Sequence, residues 1–146
     1  MNRHRLSRLL ALLLLFCLGL SGCAGRGVAA ETAPPADAPA FVWSDMEEAL
    51  ARYEAGGDFL FVDVRTPDEY VFEGHIPGAV NVPNDTIGED PIPDLPDLDR
   101  ELLVYCRTGV RSLAASEKLA ALGYTRVVNV GGIVDWQGKT KRGYEP

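Results

Sequence analysis

Residues 102–112 read Leu-Leu-Val-Tyr-Cys-Arg-Thr-Gly-Val-Arg-Ser, and that run has the parts of an activated thiol. An apolar strand brings Cys106 to its carboxyl end, the edge at which open α/β sheets bind ligands. A helix begins a few residues later. The backbone N–H groups of such a loop and of the first helical turn lack partners and point toward a common centre. An anion is favoured there, and the helix dipole adds to the effect. The thiolate is the nucleophilic form of cysteine, so this setting should lower the pKa of Cys106 and activate it. Arg107 and Arg111 add positive charge, and the loop holds no acid. Gly109 permits a backbone conformation that a Cβ would hinder, and Thr108 and Ser112 offer hydroxyls. The expectation is a catalytic Cys106 with a small anion bound by Arg107, Thr108, Gly109, Val110 and Arg111.

The length of the loop bears on which anion it takes. Protein tyrosine phosphatases and their relatives place five residues between Cys and Arg and encircle a phosphoryl group. Here four residues separate Cys106 from Arg111, and Ser112 stands where the phosphatase Arg would be. A ring one residue smaller suits a single outer sulfur atom better than a tetrahedral phosphate.

Cysteine usage singles out the same residue. The chain has three cysteines. Arg3, Arg5 and Arg8 precede an apolar run over residues 9–20, interrupted only by Gly19. That run is shorter than the roughly 20 residues a membrane-spanning helix needs, and it fits an export signal. Cys17 lies within it. At its end Leu20-Ser21-Gly22-Cys23 resembles the lipobox of bacterial lipoproteins, in which the Cys becomes the first mature residue and carries lipid. The expected organisation is a signal peptide over residues 1–22, a lipidated Cys23 with an Ala/Pro-rich flexible tether over 23–40, and one domain over 41–146. Ala24 replaces the Asp that often holds lipoproteins at the inner membrane. The expected location is therefore the periplasmic face of the cell envelope, at the outer membrane where one exists. Cys106 is then the one free thiol of the mature chain. Exported proteins usually pair their cysteines, so a thiol kept free there is marked as reactive.

The net charge is −7, and all 21 acidic residues follow Cys23. This argues against a nucleic-acid partner and against a basic grip on anionic headgroups. Attachment to the membrane falls to the lipid on Cys23.

Around the loop the elements alternate. Ser44 with Glu47 reads as a capping box opening a helix that stops at Gly56-Gly57. Residues 59–64 read as a buried strand of a parallel sheet. Thr66-Pro67-Asp68-Glu69 is a second capping box with Pro at the first helical position. His75-Ile76-Pro77-Gly78 reads as a turn before a strand at 79–82. Residues 84–99, acidic and rich in Pro, read as a loop or broken helical segment. A strand at 102–105, turn character over 106–111, a helix at 112–122 ended by Gly123, a strand at 127–130, a turn at Gly131-Gly132 and a short helix at 133–137 complete the pattern. Alternation of this kind gives an α/β fold with a mainly parallel sheet.

The motifs together resemble single-domain rhodanese-like sulfurtransferases over residues 41–146. Asp63-Val64-Arg65 with Glu69-Tyr70 is similar to the family's first signature. Gly74-His75-Ile76-Pro77-Gly78-Ala79 with Asn81 is similar to its second. Residues 106–112 are similar to its catalytic loop, and Gly123-Tyr124, Val127, Gly131-Gly132-Ile133 and Trp136 to its closing signature. The resemblance implies a three-layer sandwich around a central, mainly parallel five-stranded sheet flanked by helices. It also implies a mechanism. Cys106 would take the outer sulfur of a small sulfur-containing anion such as thiosulfate, then pass it from a persulfide to a thiol or cyanide acceptor. No metal or organic cofactor is implied. Asp63 with Arg65, His75 and Trp136 are expected to support the fold rather than the chemistry. The Pro-rich segment between Pro83 and Leu102 departs from relatives that carry a helix there.

Two other functions fit the loop. One is a non-enzymatic, membrane-tethered module of the same fold, which the intact Cys106 and two loop arginines disfavour. The other is phosphatase or arsenate-reductase chemistry, which the loop length disfavours.

Overall fold

The computed structural model describes residues 41–88 and 92–146; the expected signal peptide, Cys23 and tether lie outside them. Five parallel strands form one sheet in the order β1-β5-β4-β2-β3. They are β1 (Val42–Trp43), β2 (Leu60–Asp63), β3 (Val80–Asn81), β4 (Leu102–Cys106) and β5 (Val127–Gly132). All five residues of the central β4 are buried, which is why 102–105 reads as unbroken apolar sequence rather than alternating.

Each face of the sheet has its own apolar layer. Val62, Val104 and Val127 pack with Ala115 and Leu119 of α2 (Val110–Ala121), while Phe61, Leu103 and Val128 pack with Met46 and Ala49 of α1 (Met46–Glu54). The result is the expected α/β three-layer sandwich with a central five-stranded sheet. Trp136 sits in the α1-side layer, its ring edge-on to Phe61 at 5.6 Å and to Tyr53 at 5.9 Å, as a packing residue does. Among the described residues no helix is long and apolar enough to cross a membrane.

Several boundaries differ from the sequence reading. The cap of α1 is Asp45, whose Oδ1 accepts from Glu48 N at 2.8 Å, and Ser44 Oγ instead donates to the Glu48 carboxylate. Ser44 is held at the sheet edge because its own N–H bonds to Asn129 O at the end of the β1–β5 pairing. That two-residue edge strand is too short to show in the sequence pattern. Gly131-Gly132 is not a turn but the end of β5, reached after a register shift opposite Val104/Tyr105. The last helix is only a 3₁₀ turn, Ile133–Asp135. The second capping box forms as expected: Thr66 N donates to Glu69 Oε2 and Glu69 N to Thr66 Oγ1. The helix it opens widens into a π-helical turn, Glu69–Glu73.

A buried ion pair ties this turn to the sheet. Asp63, at the end of β2, accepts from Arg65 Nε and Nη2, the shortest contact being 2.6 Å, and Arg65 Nη2 also donates to Gly74 O. Asn81 Nδ2 donates to the carbonyls of both Asp63 and Arg65. His75 is fully buried, stacked on Tyr70, with its ring nitrogens facing Tyr70 O and Glu145 O. Both sets of side chains hold loops, as the sequence reading favoured. Removing one partner of a buried pair strands the other charge. Asp63→Ala should therefore lower the unfolding free energy by about 3–5 kcal/mol in denaturant titrations; a loss under about 1 kcal/mol would show that the pair does not hold the fold.

Candidate active site

Cys106 is the last residue of β4 and is almost fully buried. The chain leaves the strand, turns through Arg107 and Thr108, and enters α2 at Val110 from Gly109. Gly109 has φ +98°, a region that side-chain-bearing residues avoid, so the turn needs glycine there. The helix starts two residues earlier than the sequence suggested, which brings its first turn directly beneath the sulfur.

The thiol faces the backbone amides of the loop that follows it. Gly109 N donates to Cys106 Sγ at 3.1 Å. Burial by itself pushes the thiol pKa up, but the backbone N–H groups of Ser112, Thr108, Gly109 and Arg111 all favour the thiolate. Together they hold Cys106 below its ordinary value. Cys106 thus stands at the end of its strand beside backbone amides, where the sequence reading placed it.

The rest of the expected site divides into three. The backbone amides of Thr108 and Arg111 favour the thiolate, and Gly109 supplies both an amide to the sulfur and the turn. Arg107 is exposed, with Nη2 3.5 Å from Glu73 Oε2. Val110 is also exposed. The guanidinium of Arg111 is held by Glu69 in a two-pronged pair, with contacts of 2.6 and 2.8 Å. Arg111 keeps the Glu69 carboxyl down at about 2, against burial that pushes it up and with help from Thr66. Glu69 thus joins its capping box to the loop after Cys106, 42 positions later in the chain.

The back wall of the loop was not legible as such. Ser112 Oγ lies 2.9 Å from Gly109 O and 3.1 Å from Gly131 O, so its proton serves the loop backbone and not a ligand. Asn129 Oδ1 accepts from Gly131 N at 3.1 Å and fixes the end of β5. At Gly132 a Cβ would meet Arg107 O at 2.5 Å and Thr108 Cα at 2.6 Å. Only glycine lets β5 pass this close to the loop. The available signal was a glycine pair ending a strand pattern, which marks close backbone approach as readily as a turn. Among the described residues no group of three or more His, Cys, Asp or Glu is placed to hold a metal.

The model of the rhodanese-like domain matches residues 45–139. The chain belongs to the rhodanese-like domain family. It is 40% identical over 75 residues to the thiosulfate sulfurtransferase PspE of Escherichia coli, covering 51% of this chain and 71% of that protein. It is 41% identical over 95 residues to a sulfurtransferase of Allochromatium vinosum, covering 63% and 84%. Among solved structures it is similar to the rhodanese-like domain from Anabaena, with a TM-score of 0.62 and 27% identity over 70% of this chain and 80% of that one. In this rhodanese-like domain the amide ring and the glycine wall lead to two expected outcomes. The pH profile of alkylation of Cys106 by iodoacetamide should have its midpoint below the value of about 8.5 for a free cysteine. Gly132→Ala should move that midpoint up, because displacing Arg107 and Thr108 breaks the ring. A midpoint at or above the free-cysteine value in the unaltered protein would contradict the assignment.

Glu69 adds a pH dependence of stability. Its pKa in the folded protein is lowered from 4.5 to about 2, so its contribution is present above the unfolded value and is lost as pH falls toward 2. Glu69→Gln should therefore be less stable than the unaltered protein at neutral pH, and the difference should shrink as pH falls below about 4. A difference that stays constant from pH 7 to 3 in urea titrations would rule out the pair as its source.

Proposed function

We propose that this domain is a sulfurtransferase that carries sulfane sulfur as a persulfide on Cys106. The observation that carries the reading is the set of amides from Thr108, Gly109, Arg111 and Ser112 that favours the thiolate of Cys106. The same amides can hold the terminal sulfur of a persulfide, which is also a small anion. In the first step the Cys106 thiolate attacks the outer sulfur of a donor such as thiosulfate. A new S–S bond forms, the donor's own S–S bond breaks, and sulfite leaves with the electron pair. In the second step a thiolate or cyanide attacks the outer sulfur and the Cys106 thiolate is the leaving group. Such covalent two-step transfer gives ping-pong kinetics. The names of the Escherichia coli and Allochromatium relatives support the sulfurtransferase reading.

The reading extends to location. The lipobox-like Leu20-Ser21-Gly22-Cys23 supports export and lipid attachment at Cys23, with the domain held at the periplasmic face of the envelope. A Cys23→Ser variant should then lose incorporation of labelled fatty acid in cells; unchanged labelling would refute the anchor.

The intact mass of the domain from Phe41 onward, taken before and after thiosulfate, tests the chemistry. The expected result is a gain of one sulfur atom, reversed by cyanide and absent in Cys106→Ser, with turnover in that variant reduced by more than about a thousandfold. A folded protein with a titratable thiol that gains no sulfur from thiosulfate or polysulfide would instead point to a tethered binding module. Hydrolysis of a phosphate ester would point to phosphatase chemistry.

A further inference from the structure

We propose that the groove between the start of α1 and the Ile133–Asp135 turn docks the sulfur acceptor, and that this acceptor is a basic protein segment presenting a cysteine. The inference rests on the sulfurtransferase reading and concerns the second of its two steps. The groove has a volume of about 650 Å³ and an apolar floor of Met46, Leu50 and Val130. Asp45, Glu47 and Asp135 give it an acidic rim. Gly131 also lines it, and Gly131 Cα lies 3.6 Å from where a Cβ on Gly109 would stand. In the register of β4 and β5, Tyr105 pairs with Gly131 and Cys106 with Gly132. The groove therefore adjoins the loop after Cys106, one strand from the nucleophile. Val134 links the two: it is exposed beside Asp135, and its N–H donates to Arg107 O at 3.3 Å.

Charge complementarity identifies the occupant. Asp45 caps α1, and Glu47 stands in its first turn, where the helix dipole favours an acid. Asp135 has no such duty. Among the described residues its carboxylate accepts no hydrogen bond, and neither it nor Glu47 meets a cation. By contrast, Glu69 and Glu73 each face a loop arginine. An apolar floor under an uncompensated acidic rim fits a segment with apolar and basic side chains. A second copy of this chain, at −7, is repelled from it. Cyanide or a small thiol reacting at Cys106 cannot at the same time fill a groove one strand away. An extended peptide can, at about 3.3 Å per residue. Basic side chains beside a cysteine also lower the pKa of its thiol, so this acceptor brings more of the attacking thiolate.

In the step itself the acceptor thiolate bonds to the outer sulfur of the Cys106 persulfide. The S–S bond to Cys106 breaks, and the Cys106 thiolate leaves with the electron pair. The acceptor ends as the persulfide, and no oxidant or reductant is consumed. The test uses the full chain loaded from thiosulfate and two peptides of equal length, each with one cysteine among apolar residues. One peptide carries lysines and the other glutamates; β-mercaptoethanol serves as the small neutral acceptor. The lysine peptide should be the better acceptor of the two. Its kcat/KM relative to β-mercaptoethanol should fall about threefold in Asp135→Asn and in Glu47→Gln, and about tenfold in the double variant. The fall should lie in KM and not in kcat. Glu117→Gln removes an equal charge from α2, on the opposite face of the sheet, and should leave the ratio unchanged. No preference for the lysine peptide, or equal falls in Glu117→Gln and Asp135→Asn, overturns the docking inference while sulfur transfer stands. A dimer of the full chain that the lysine peptide dissociates gives the groove to a second copy and overturns it too. Failure of thiosulfate and polysulfide to load sulfur on Cys106 of the folded protein overturns the sulfurtransferase reading and the inference with it.

Discussion

The convergence of backbone amides on the Cys106 sulfur is the constraint on which the rest of the structure depends. A buried thiol left to itself is driven toward its neutral form. Here the amides of Thr108, Gly109, Arg111 and Ser112 reverse that preference. Backbone donors do this without mobile side chains, so a negative charge held there needs little reorganisation of the site. The requirement is geometric: the loop must be short, must turn through a positive φ at Gly109 and must enter a helix at once.

Much of the surrounding structure serves that geometry. On one side β5 runs so close to the loop that Gly132 has no room for a Cβ, and Asn129 and Ser112 bind the two segments together. On the other side Glu69 grips Arg111 from a turn that is itself tied to the sheet through Asp63 and Arg65. The buried ion pair and the part-buried clamp act at different depths. The first fixes where the turn lies, and the second fixes the charge and orientation of the loop's last residue. The carboxylate that positions Arg111 also neutralises it.

The loop around Cys106 was more legible in the sequence than its supports were. Cys106, its strand, its helix and the glycine between them are contiguous, and contiguous motifs have local physical signatures. The buried strands were visible as apolar runs, the pairing of Asp63 with Arg65 followed from the cost of burying an unpaired charge, and His75 and Trp136 were read as a turn hydrogen-bonder and a packing residue. Glu69 was visible as a helix cap, but its reach to Arg111 spans 42 positions and no local rule encodes it. Gly131-Gly132 was read as a turn because the same dipeptide serves turns and close strand approaches. The cap of α1 slipped by one residue because the pairing of β1, too short to leave a pattern, drew Ser44 into the sheet edge.

A structure of the protein taken after exposure to a sulfur donor tests the central claim most directly. The account predicts one extra sulfur bonded to Cys106 Sγ and lying inside the loop, within hydrogen-bond distance of the amides that favour the thiolate. An extra sulfur turned out of the loop toward solvent, or a loop that must open to hold it, would contradict the claim that the amide ring is built for the terminal sulfur of a persulfide.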